Sequence, residues 1–500
     1  MTILTEKDKT MIKKQIALSV TLVFLSLTLW ANNVQVDNVT RSGVGRNIIS
    51  FELSWENSWY FSAIPRNHDA VWLFIKYREC GGGGPWHHAL LSTNMADHFF
   101  DTDITYARPI TVNDRFGNPG NHNTGVLVRR ANYGGGDIVS QSISLTVSGA
   151  SDGILLADTA EYDIKVMAIE MVQIPESPFY AGDGVSTYTM FQYGTGSGTP
   201  YGAIPYRFTA ENGTDTIDYG YSNYWVKLNS DFPKGYAEFY VMKYEISQGQ
   251  YVDFLNTIDP GAALNRSYIY NGYMYNIGLS GTYTTIHPNR AMIYMSTNDL
   301  FSYLDWAALR PMSELEYEKA SRGPKDFVPG EFAWGDNYFI EANNIINTAT
   351  GTEICTDSAA NLNCGTSTYL HGGNFGANGY GPVEVGIFAR DSTLSRAATG
   401  GSYYGVMELS GNAKENCVQI NTNQGNPATT SSYTGVWGDG QLNNIGFSNT
   451  SAWPAAGTYF ILRGGYWWDA ADRCRISDRN NRNVTTYDTR GYDYGGRGVR

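Results

Sequence analysis

Five cysteines, Cys80, Cys355, Cys364, Cys417 and Cys474, are the residues best equipped for chemistry in this 500-residue chain. Thiols exchange disulfides or hold soft metal ions, and spacing and compartment decide between these uses. Cys355 and Cys364 lie nine positions apart in a loop rich in Asn, Thr and Gly, a spacing that readily closes a disulfide in an exported protein. Pro85-Trp86-His87-His88 offers two imidazoles. Adjacent histidines point apart and no third ligand accompanies them, so an exposed loop beside an aromatic strand is the preferred reading over a metal site. Gly194-Thr-Gly-Ser-Gly198 has the glycines of a phosphate cradle but no following Lys-Ser/Thr and no helix, and reads as an ordinary loop. Near the C-terminus, Tyr466, Trp467, Trp468, Asp472, Asn480, Asn481, Tyr487, Tyr492 and Tyr494 gather aromatic and polar side chains. Such a set suits an adaptable recognition surface for protein or glycan, with the alternative that about half of these aromatics fill a core.

The formal net charge is −13, and that field argues against nucleic-acid and anionic-membrane partners. Charged residues make up only 17 % while aromatics reach 14 %, with 55 Gly and 36 Tyr, a composition of short strands, tight turns and ordered loops. It excludes a coiled coil, a helical repeat array and a disordered chain. Lys13 and Lys14 precede an apolar and hydroxyl run from Ile16 to Trp30, followed by Ala31 and Asn32-Asn33. This reads as a secretory signal over 1–31, short of the roughly 20 apolar residues of a membrane span. No cysteine follows it until Cys80, so no lipid-anchor cysteine is expected. The expectation is a secreted or cell-surface protein in an oxidising compartment, with no membrane insertion after cleavage.

These residues need elements to position them. Ile49–Trp55 and Ala70–Tyr77 alternate or run apolar between turn residues, with further strands expected over Thr124–Val128 and Ser142–Val147. Residues 32–160 therefore read as an all-β, sandwich-like domain. Helices are few. Ser247 caps one carrying Tyr251, Phe254 and Leu255 on one face, and a second begins near Ser296 with Leu300, Phe301 and Leu304. Ser313-Glu-Leu-Glu316 is a capping box opening a third helix to Ser321, with Gly323 as its left-handed stop. Beyond it almost nothing is helical.

That order of elements carries a resemblance. Ala168–Pro175 with Phe179 and Gly182, Phe239–Ile246 with Tyr251 and Phe254–Asn256, and Arg310–Ala320 with Arg322-Gly323 are its first three landmarks. Phe332–Asp336, Tyr404–Asn412, Arg463-Gly-Gly-Tyr-Trp467 and Gly496–Arg500 follow in order. Together they resemble the formylglycine-generating enzyme (sulfatase-modifying factor) family over residues 163–500. The resemblance implies an α+β, C-type-lectin-like fold for that region, after the β-sandwich-like domain.

In catalytic members two cysteines after the Arg-Gly-Gly-aromatic element bind copper and support oxygen-dependent formation of formylglycine. Here the second falls on Cys474 but the first on Asp469, a hard ligand unsuited to Cu(I), so copper is not expected. Where the family has Gly-Asn-Val-Trp-Glu-Trp, this chain reads Gly411-Asn-Ala-Lys-Glu-Asn416, then Cys417. In this fold Cys417 and Cys474 lie near one another, either as a disulfide or as two buried thiols. The resemblance also implies structural calcium at Glu408, Gly411, Ala413 and Glu415, and at a second site of Asn344, Ile345, Asn378 and Tyr380. It points to a non-catalytic member that binds a protein or glycan at the cell surface through Tyr466, Trp468, Asp469, Asp472 and Tyr492, with self-association a further option. The alternatives are a structural subunit of a surface filament or of a secretion or motility assembly, and an oxidase of the superfamily.

Overall fold

The computed structural model describes residues 33–43, 45–81, 84–110, 123–186, 190–193, 204–218, 225–342, 345–347, 353–357, 359–365, 381–389, 395–421, 430–456, 458–482, 484 and 487–500. The chain opens with β1 (Gln35–Ser42), β2 (Ile48–Tyr60), β3 (Asp69–Glu79), β4 (His87–Leu91), β5 (Val126–Arg130) and β6 (Gly134–Ala150). Then come β7 (Tyr162–Ile174), β8 (Phe239–Met242), α1 (Gln248–Leu255), α2 (Pro260–Arg266), α3 (Thr297–Trp306), β9 (Arg310–Pro311) and α4 (Glu314–Arg322). Late in the chain are β10 (Lys414–Val418), β11 (Phe460–Arg463), β12 (Tyr494–Gly495) and β13 (Gly498–Val499). The protein is mostly β, with few helices and a β-rich N-terminal region.

One sheet runs through β1-β2-β6-β4-β3-β7-β8-β13-β9, with β5 on β3. The strands expected on either side of residue 160 thus share one hydrogen-bonded sheet, and residues 31–500 form one compact unit. β7 makes the join. It pairs with β3 from Tyr162↔Glu79 to Val172↔Asp69, and its far end pairs with β8 from Met171↔Met242 to Ile174↔Phe239.

The continuous apolar run of β3 has its reason here, because a strand buried on both faces need not alternate. Val71, Leu73 and Ile75 meet Ile49, Phe51 and Leu53 of β2 and Ile143 and Leu145 of β6 in one core. Trp72 and Phe74 enter a second core with Phe254 of α1 and Leu304 and Trp306 of α3. Phe74 meets Trp306 edge to face at 5.2 Å, and Trp72 Nε1 donates to the Ala307 carbonyl at 2.9 Å. A third core holds Tyr317, Leu409, Ile461, Cys364, Cys417 and Cys474.

Capping boxes open α1, α3 and α4 at Ser247, Ser296 and Ser313, where each cap hydroxyl accepts from the third helical amide. α4 runs one residue beyond the expected end, and Gly323 closes it at φ 70°, ψ −156°. Its φ is positive as expected, but its ψ lies outside the left-handed helical basin. α2 is a helix the periodicity did not reveal, because seven residues starting at a proline hold too few apolar positions.

His87 and His88 correct the exposed-loop expectation. Both are buried in β4 and point apart: His87 Nδ1 meets Asp152 at 2.5 Å, and His88 Nε2 meets the Thr124 carbonyl at 2.6 Å. Gly194–Gly198 lies outside the described residues.

Candidate functional site

The C-terminal aromatics converge on the end of β10 and on a hairpin at residues 270–280. In that hairpin Gly272 pairs with Tyr275, so Tyr273 and Met274 form the two-residue turn, with φ of 53° and 57°. Positive φ at both positions matches the hairpin twist but normally calls for Gly or Asn. Here it presents the Tyr273 ring 5.6 Å from Trp467 and 5.4 Å from Tyr492. Tyr466 meets Trp467 edge-on at 5.6 Å, and Trp468 stacks on Trp467 at 5.6 Å. Trp467 is fully buried, while Trp468 is 48 % and Tyr492 36 % exposed, so one ring anchors the group and two face solvent.

Charge sits beside the rings. Lys414, the first residue of β10, places Nζ 2.7 Å from Asp493 Oδ2, 3.5 Å from Asp469 Oδ2 and 4.4 Å from the centre of the Tyr466 ring. Burial pushes the Asp469 carboxyl up, with Lys414 and then Arg473 opposing it. Burial, then a hydrogen bond with Tyr492, raises the Tyr466 hydroxyl. Of the expected contacts, Tyr466, Trp468, Asp469 and Tyr492 come together, whereas Asp472 is an exposed residue of the 3₁₀ turn Ala471–Cys474. Tyr273, Lys414 and Asp493 were not anticipated. Only Lys414 left a signal, as a departure from the family's Val-Trp-Glu spacing.

Neither Cys355 with Cys364 nor Cys417 with Cys474 forms a disulfide in this structure, and for the latter two the alternative reading, two buried thiols, is the one that agrees with it. All five are thiols; Cys474 Sγ donates to the Ala470 carbonyl at 4.0 Å, and the thiol beside it is Cys364, not Cys417. The reason lies in how the loops dock. Gly365 N–H donates to the Asp469 carbonyl at 3.1 Å and Asn412 N–H to the Asn363 carbonyl at 2.9 Å, which draws Cys364 against the 469–474 turn. Cys355 lies in a different core, with Ile345 and Ala360. Cys80 is exposed. Gly465 is required here, since a Cβ on it would stand 2.5 Å from Cys474 Sγ.

Around the first expected calcium position, Glu408, Gly411 and Asn412 all take positive φ (52°, 85° and 65°). Glu408 Oε1 accepts from Gly386 N–H at 3.0 Å, and Glu415 Oε1 takes the Arg497 guanidinium at 2.7 Å. Glu408 Oε2 and Glu415 Oε2 are each buried with no hydrogen-bond partner among the described residues. Burial, opposed by Arg497, lifts the Glu408 carboxyl to about 7. Hard oxygens left without partners fit a calcium ion. Among the described residues, no three His, Cys, Asp or Glu side chains form a metal-holding group. At the second expected position Ile345 sits in a two-residue strand, and Asn344, Asn378 and Tyr380 lie outside the described residues.

The model of the sulfatase-modifying factor enzyme 1-like domain matches residues 229–500, more than half of the chain. The chain belongs to the formylglycine-generating enzyme (sulfatase-modifying factor) family. A formylglycine-generating enzyme of Thermomonospora curvata is 31 % identical to it over 105 residues, 21 % of this chain and 33 % of that protein. The chain thus spans about a third of the length of this curated relative. Among solved structures, Treponema denticola variable protein 1 aligns over 67 % of this chain and 95 % of its own at 14 % identity, with a TM-score of 0.33. Asp469, which the resemblance sets at the first copper cysteine, pairs with Lys414 at 3.5 Å, and a hard carboxylate beside an ammonium does not fit Cu(I).

Proposed function

We propose that this family member is exported, lacks oxidase activity, and binds a protein or glycan at the cell surface through the face of Tyr273, Tyr466, Trp468 and Tyr492. The domain over 163–500 is read as C-type-lectin-like, a fold that presents function on loops held by small sheets. One observation carries the reading: Lys414 and Asp469 form an ion pair where catalytic relatives need a soft cation between two thiolates. The partly exposed rings supply rigid apolar contact, and the Lys414, Asp469 and Asp493 cluster supplies hydrogen-bonding groups beside them. Calcium at Glu408, Gly411, Ala413 and Glu415 is proposed as a structural ion that takes up the two unpartnered carboxylate oxygens.

Two assays test this. Cu(I) offered in competition with a chromophoric chelator, and a cysteine-containing sulfatase peptide offered with copper and oxygen, are expected to give no tight binding and no formylglycine. Tight Cu(I) binding that depends on Cys474, or peptide conversion, overturns the reading. A glycan array probed with the full chain should show hits that Trp468→Ala abolishes. Calcium should raise the melting temperature after chelator treatment, and Glu408→Gln should remove that rise.

A further inference from the structure

A cavity of about 300 Å³ lies between the N-terminal strands and the family domain, away from the aromatic face. Trp59, Phe61, Tyr403, Tyr404, Met407 and Arg396 supply the walls that matter. Eight of the nineteen lining residues, Trp59 and Phe61 among them, precede residue 229 and so lie outside the segment matched by the family model. The cavity therefore exists only because the N-terminal strands dock onto the family domain, and it is not read from the family's chemistry.

Three features point to a ligand. The first is room built by glycine: Gly134, Gly135 and Gly136 of β6 pair with Tyr60, Trp59 and Ser58 of β2, so three consecutive positions beside Trp59 carry no side chain. The register shifts between Trp55 and Ser58, so these glycines serve a bulge, and a Cβ on Gly134 or Gly136 would meet nothing within 4 Å, which leaves the space beside the backbone open to an approaching group. The second is a set of flat apolar surfaces, with Tyr403 and Tyr404 packed edge to face at 4.9 Å and Phe61 42 % exposed on the open side. The third is charge. Lys243 Nζ lies 5.1 Å from the centre of the Trp59 ring but is already held by Glu170 at 2.8 Å. Arg396 forms no ion pair within 4 Å among the described residues, Glu331 acting on it only at longer range: its guanidinium lies 5.6 Å from the Tyr403 ring centre, and its Nη1 is buried without a hydrogen-bond acceptor among those residues. An unpaired buried guanidinium nitrogen is costly, and an anion would relieve it. The volume and the apolar lining with one convergent cation are those of a small-molecule site.

We propose that this cavity binds a small, flat anion of one or two fused rings, an aromatic carboxylate, stacked against Trp59 and Tyr403 with its carboxylate on Arg396. The probes are 2-naphthoate and its uncharged amide, 2-naphthamide, titrated into the full chain and followed by calorimetry and tryptophan fluorescence. The carboxylate should bind saturably at one site, about tenfold or more tighter than the amide, the usual value of a charge-assisted hydrogen bond. Arg396→Gln should bring the two affinities together, and Thr399→Trp, which fills the cavity from its lining, should abolish both. Absence of saturable carboxylate binding, equal affinities in the unaltered chain, or binding unchanged in a folded Thr399→Trp protein would each overturn the proposal. The carboxylate-to-amide ratio is measured on the unaltered chain, so the test stands even where a variant fails to fold.

Discussion

Lys414 Nζ lies 3.5 Å from Asp469 Oδ2, so two positions at which this chain departs from its family's pattern face each other across the end of β10. The ammonium also bonds Asp493 at 2.7 Å, and all three side chains are largely withdrawn from water. Lys414→Met leaves Asp493 without its ammonium and Asp469 with only Arg473 at 3.9 Å, and should destabilise the fold by about 2 kcal/mol, as loss of a charged hydrogen-bond donor typically does. A double-mutant cycle with Asp469→Asn, followed by urea unfolding, should give a coupling of about 1 kcal/mol. A coupling indistinguishable from zero would sink the pairing.

The second prediction concerns sulfur. The hydrogen bond with Cys364, then burial, raises the Cys474 thiol well above its ordinary range, so the folded protein carries little thiolate there. Refolding with oxidised glutathione should instead join the two thiols, which give up two protons and two electrons to the glutathione disulfide. Peptide mapping without reduction is expected to recover a Cys364–Cys474 link, with Cys80 the thiol alkylated in the native state. Recovery of Cys355–Cys364 or Cys417–Cys474 would contradict the docking of the 363–365 loop.

α4 is buried along its whole length, charges included. Its first residue, Glu314, accepts from Arg463 at 3.1 Å and from Arg479 at 2.7 Å, and also from Ile420 N–H at 3.0 Å. Glu314→Gln should cost about 3–5 kcal/mol, the penalty for stranding buried charge. Glu161→Gln, at the exposed pair with Arg46, should leave the melting curve nearly unchanged. Equal effects from the two variants would deny the buried network its role.

His68 supplies the pH dependence. Burial, reinforced by Arg129 and Arg108, lowers its imidazole to about 3, and Nε2 pairs with the Tyr240 hydroxyl at 3.1 Å. A depressed imidazole holds its full stability above the unfolded value of about 6.5 and loses it as the pH falls from there toward 3. Between pH 7 and pH 5 the native protein should therefore lose about 2 kcal/mol that His68→Gln does not lose. Urea unfolding at the two pH values measures this, and a pH-independent difference between the proteins would show that His68 is not held neutral.

Local pattern made the helix starts legible, because a capping serine and its partner three residues on are read within one turn. The same held for the strands of the N-terminal region and for the order of landmarks from Ala168 to Arg500. What the sequence could not carry was contact between distant segments. The apolar run of β3 announced burial but not its two separate partners, and the change of character near Tyr162 suggested a boundary where a single strand joins both halves. Cys355 and Cys364 lie only nine positions apart, yet they enter different cores, while Cys364 and Cys474, far apart in the chain, meet. Through the family resemblance, Asp469 could be read as standing in for a thiol. Only the tertiary structure showed Lys414 beside it, since β10 and the turn after β11 are brought together by sheet pairing and not by spacing along the chain.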